Sequence, residues 1–164
     1  MYPADPASPA VASRLFAATI LATMAGVFLG IFFLFVDTDL AVRIAVVLLV
    51  GVVGVLSWLR HTVYYRSDQA RMGWKQEHPQ FQMEVGYANL AIGVVALAAA
   101  ALSWGRLAYA ISFFTYGLYL CGALAIHIHG YRADPSSRGK KSVLNSAFFV
   151  VVLFGFGAFA LLSN

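Results

Sequence analysis

Charge is scarce in this sequence: Asp, Glu, Lys and Arg make up 11% of it, while 61% is hydrophobic. Soluble domains carry about a quarter charged residues, so the composition points to a bilayer rather than water as the solvent. Cysteine is scarcer still. Cys121 stands alone inside an apolar run, which excludes an internal disulfide and a zinc site built on several thiolates and leaves a small packing residue. No acidic or basic residue lies deep within an apolar run, and such residues mark most proton relays and ion paths. A phosphate-cradling Gly-Lys-Ser/Thr loop, a serine elbow and a metal-spaced histidine pair on one helix are absent as well. So are the matched Gly/Pro interruptions of many secondary transporters. These absences argue against a coupled pump.

What is present is length in apolar runs. A spanning helix needs about 20 mainly apolar residues, and runs at about 15–36, 40–59, 85–104, 107–129 and 143–163 qualify. The expected fold is all-α: an integral membrane five-helix bundle forming a single membrane domain over 1–164. The first run exceeds the 7–15 residues of a signal-peptide core and lacks a small-residue cleavage site, so it reads as a retained span. Arg43 weakens the second run, but it sits in the first turn, where it can snorkel outward and meet Asp39 at i,i+4 spacing. Thr38 or Asp39 is expected to cap that helix. Gly105 suits a helix C-cap between the third and fourth runs. Two tight hairpins and a final single helix follow.

Lys and Arg in the connections set the orientation. Arg14, Arg60, Arg66, Arg71, Lys75, Arg132, Arg138, Lys140 and Lys141 fall on one side, against Arg43 and Arg106 on the other. The rich side belongs in the cytoplasm, which places the N-terminus there, the C-terminus outside, and the chain in the cell membrane. The net charge of +4 thus needs no nucleic-acid partner; topology and anionic lipid heads account for it.

Helices in lipid associate through small residues. The first run offers Gly26 and Gly30. The third carries Gly86, Asn89, Gly93, Ala96 and Ala100 along one stripe, which predicts a central third helix. The same stripe would serve a homo-oligomer or a partner membrane protein.

The connection over 60–83 is longer than topology requires. Ser67 can cap a short helix through Met72 that Gly73 ends, and its apolar and basic residues suit a segment lying among headgroups. Pro79 fits the start of the third helix, with Glu84 in an early turn. Here Arg66-Ser67-Asp68-Gln69-Ala70, Gly73-Trp74 and Phe81-Gln82-Met83-Glu84-Val85-Gly86-Tyr87-Ala88-Asn89-Leu90 resemble the core of a family of small prokaryotic membrane proteins classed as a domain of unknown function. The resemblance implies a polytopic membrane protein and carries no active site with it.

The remaining chemistry gathers on the basic side. His61, His127 and His129 end helices there, and His78 lies in the loop. A metal or haem site would draw on His61, one of the other pair, and Glu84. His127 and His129 point roughly 200° apart on a helix, so both cannot face one ion. Histidines at helix C-termini also serve the helix dipole and the headgroups. Asn89 lies about 7.5 Å deeper than Glu84 along its helix. A polar pocket of Glu84, Tyr87, Asn89, Tyr116, Tyr119 and Asn145 is one reading; interhelical hydrogen bonding is the commoner use of such residues. The aromatic fourth run would suit a flat ligand such as a quinone, or simple packing. The expectation is a binding or accessory protein working from its cytoplasmic side. An oligomeric channel or transporter, and a haem-, metal- or quinone-dependent redox enzyme, are the competing readings.

Overall fold

A computed structural model describes residues 8–73, 78–133, 135 and 137–163. Asp5, Trp74, Lys75 and the side chain of Arg138 lie outside the described residues. Every element found is helical: α1 (Ala10–Leu34), α2 (Thr38–Val63), α3 (Tyr65–Met72), α4 (Gln80–Ala101), α5 (Arg106–Ala133) and α6 (Ser137–Leu162). Five of them, all but α3, are long and apolar enough to cross a membrane. The chain is a multi-pass helical bundle.

The central helix is α2, not α4 as the small-residue stripe suggested. It touches α1, α4, α5 and α6, and Val42, Ala45, Val46, Leu49, Val50 and Val53 are fully or almost fully buried. The reason is steric. Gly51 and Gly54 of α2 meet Gly93 of α4 so closely that a Cβ on Gly54 would lie 2.7 Å from the Asn89 carbonyl oxygen, and one on Gly93 2.9 Å from that of Gly51. The stripe is thus used within the chain. Gly86 abuts Thr62, while Gly26 and Gly30 of α1 abut Leu49 and Phe156.

The hairpin expectation also shifts. Although α4 and α5 are joined by a short turn, α5 packs more extensively along α6, through Phe113 on Phe156 at 5.8 Å and Phe114 on Phe154 at 5.7 Å between ring centroids. Interlocked rings contribute apolar contact that a turn alone does not.

At the end of the bundle that carries the short turns, Asp37 rather than Thr38 or Asp39 caps α2, accepting from the Leu40 N–H at 3.0 Å. Asp39 pairs with Arg106 instead of Arg43. Arg106 also donates to the carbonyl and hydroxyl of Ser163, so one guanidinium joins the ends of α2, α5 and α6. After Ala101 the chain turns through Ser103 (φ 53°) and Gly105 (φ 90°). Two left-handed residues reverse it, and only the second has the freedom of glycine.

Candidate functional site

The opposite end of the bundle holds the ionisable side chains that the core shields. There α2 runs past the limit its hydropathy suggested. Its last turn, Leu59–Val63, is π-helical, with the Tyr64 N–H bonded to the Leu59 carbonyl at 2.8 Å. Wide turns of this kind recur at functional sites. This one carries Arg60 and His61 side by side. The backbone breaks at Tyr64 (φ −109°, ψ 32°), and α3 runs back across the end of the bundle until Gly73 stops it in the left-handed conformation (φ 72°), its N–H on the Gln69 carbonyl.

Ser67 does not cap α3. Its hydroxyl accepts from the Ala12 N–H at 3.1 Å and donates to the Ser8 carbonyl at 2.6 Å. A first-turn N–H of α1 would otherwise have no helical partner. The next residue forms the centre of the site. Asp68 has no exposed surface, so α3 does not simply lie among headgroups. One carboxylate oxygen accepts from Arg71 Nε at 3.0 Å and lies 3.6 Å from Arg60 Nε. The other accepts from Gln82 Nε2 at 3.2 Å and lies 2.9 Å from His61 Nδ1. Neither the Arg60 nor the His61 approach has hydrogen-bond alignment; they act through charge and dipole. Gln69 donates to the Gln82 amide oxygen at 3.0 Å. Side chains of α2, α3 and α4 thus converge on one carboxylate, while Phe16 of α1 lies under the guanidiniums of Arg60 and Arg71, at 5.3 and 4.6 Å from its ring centroid.

The protonation states follow from donor chemistry. Arg60 Nη2 stands 3.0 Å from His61 Nε2. A guanidinium only donates, so Nε2 accepts, the imidazole is neutral, and its proton sits on Nδ1 facing Asp68. Burial alone would raise the Asp68 carboxyl. The contact with His61 and the charges of Arg60 and Arg71 outweigh burial and hold it below its ordinary 3.8. Two guanidinium charges therefore share one carboxylate.

Deeper in the bundle lies a second polar knot. Asn89 Nδ2 donates to the Val85 carbonyl at 2.7 Å and contacts the Tyr119 hydroxyl at 3.0 Å; its Oδ1 accepts from the Tyr116 hydroxyl at 2.9 Å. Every polar atom of the amide has a partner, as interhelical bonding requires. Glu84, Tyr87 and Asn145 are exposed and stand apart from it. Helical geometry explains the separation within α4, since Glu84 points about 140° and Tyr87 about 160° away from Asn89. The six residues do not converge on a single pocket.

Nor do the histidines converge. His61 uses both ring nitrogens on Arg60 and Asp68, so ligating haem or metal would break one of those contacts. His127 faces Ser142 of α6 at 3.4 Å, and His78 and His129 are exposed. Among the described residues, no three of His, Cys, Asp and Glu gather where they could hold a metal ion. The residues that sequence reasoning missed are Asp68, Arg71, Gln82 and Phe16. A faint signal existed: Asp68 and Arg71 stand at i,i+3 spacing, and an aspartate paired that way need not face solvent.

A model of a family described as being of unknown function matches residues 8–163, nearly the whole chain. No curated protein and no solved structure matches it.

Proposed function

We propose, on the premise that the chain belongs to this family of unknown function, DUF6790, that it is a multi-pass binding or accessory protein whose working surface is the α3 end, facing the cytoplasm. The observation that supports this reading is Asp68, wholly buried and held by two arginines, a histidine and a glutamine. Spanning a bilayer requires no such group, and shielded ionisable residues in membrane proteins are costly and associated with function. The basic residues agree: Arg14, Arg60, Arg66, Arg71, Arg132, Lys140 and Lys141 belong to this end, which the positive-inside rule assigns to the cytoplasm. A pore lined by the α4 stripe has less support, because α2 closes off Gly86 and Gly93.

Two measurements test the reading. A reporter fused after Asn164 should score as external. Species that co-purify with the chain in mild detergent should be lost when Arg66 and Arg132 become Glu, and kept when Arg43 does. An internal reporter, or co-purification indifferent to the basic end, would refute the proposal.

A further inference from the structure

We infer that Arg60 and Arg71, stacked on Phe16, form a seat for a phosphate-class anion at the membrane face. This deepens the reading above and rests on it for the side the seat faces.

Charge balance supports the inference first. Among the described residues, Arg60 and Arg71 are positive, Asp68 is negative and His61 is neutral by its contact with Arg60, which leaves one positive charge over. Among the described residues no other carboxylate pairs with either guanidinium. An uncompensated charge in a largely desolvated site is costly, and a bound anion removes that cost.

Donor capacity points the same way. Arg60 Nε is closed in beside Asp68, and of the other four guanidinium N–H donors Nη2 faces His61. Arg71 Nη2 donates to the Met72 sulfur at 3.1 Å, and a thioether is a weak acceptor. Both guanidiniums therefore retain capacity for a better acceptor. The Phe16 ring lies within cation–π distance of both guanidiniums.

Access is graded to match. The side chains of Arg60 and Arg71 are 12% and 19% exposed, while Asp68 is closed at 0%. An anion can reach the arginines without meeting the carboxylate. The planar fork of arginine fits phosphate oxygens in pairs, and this seat lies where the second span ends at Val63, the region in which a spanning helix meets headgroups. A phospholipid headgroup and free phosphate share that chemistry.

The test uses the full chain in mild detergent and native mass spectrometry. Phosphatidylglycerol is titrated against phosphatidylcholine, with inorganic phosphate as competitor. The expected result is one phosphatidylglycerol retained in preference to phosphatidylcholine, weakened about tenfold by Arg71→Gln. Paired Lys140→Gln and Lys141→Gln should change it by less than about twofold, since exposed charges act diffusely and are screened. Displacement by millimolar phosphate assigns the seat to phosphate from either source; resistance to it assigns the seat to the lipid. Should Arg71→Gln fail to fold, Arg71→Lys carries the test, because it keeps the charge and loses the fork. Unchanged affinity in the folded Arg71 variant, or equal loss in the lysine pair, overturns the inference. If the reporter after Asn164 is still external, the proposed working surface survives that loss; an internal reporter defeats the working-surface reading whatever the lipid does.

Discussion

At the scale of single residues, Asp68 ionises because its neighbours make ionisation cheaper than protonation, despite complete burial. Asp68→Asn keeps the shape and removes the charge, leaving Arg60 and Arg71 shielded without a counterion. Breaking a buried pair costs about 3–5 kcal/mol, and the partial exposure of the arginines places the expected loss near the lower figure. Thermal unfolding in detergent measures it. The pH dependence has a definite sign. The folded carboxyl titrates below 3.8, so its contribution is complete above that value and is lost as the pH falls through the lower folded one. Below about pH 4 the unfolding temperature should drop as this contribution is lost, with a shallower drop in Asp68→Asn. Asn89 shows how much of this was legible beforehand. A lone amide in an apolar run signals interhelical bonding, and Tyr116 and Tyr119 at i,i+3 supply the partners. Asp68 gave no such signal, because it sits in a polar loop where aspartate is ordinarily solvated.

At the scale of elements, the α2–α4 contact is set by backbone against backbone. At Gly93 an added methyl would press on the carbonyl of Gly51, and at Gly54 on the Cα of Gly93 at 2.9 Å. Neither neighbour is a side chain that can turn aside. Gly93→Ala and Gly54→Ala should each lose about 1–3 kcal/mol, as overpacked sites do. Gly122→Ala and Gly155→Ala meet nothing within 4 Å, and removing glycine from a helix should leave them neutral or about 0.5–1 kcal/mol more stable. Parallel thermal melts of the four variants separate the groups. Hydropathy sufficed to find the five spans, since length and apolarity alone define them. It stopped α2 at residue 59, because Arg60-His61-Thr62 reads as loop by polarity. The helix continues to Val63 because those side chains find partners in the chain: Asp68 for the first two and the Met83 carbonyl, at 3.3 Å, for Thr62.

At the scale of the whole molecule the two ends are fastened differently. One is closed by Arg106, reaching an exposed Asp39 and the end of α6. Exposed pairs contribute little, so Arg106→Ala should lower the unfolding temperature less than Asp68→Asn does. The other end gathers α1, α2, α3 and α4 around one carboxylate, and that gathering is the central claim. A double-mutant cycle on Asp68→Asn and Arg71→Gln, read by unfolding free energy in detergent, tests it most directly. If the pair is an ionic knot, the double variant recovers stability relative to the sum of the single ones, with a coupling of at least about 1 kcal/mol. Additivity within about 0.5 kcal/mol would mean that Asp68 and Arg71 act independently, and the knot would not exist as described.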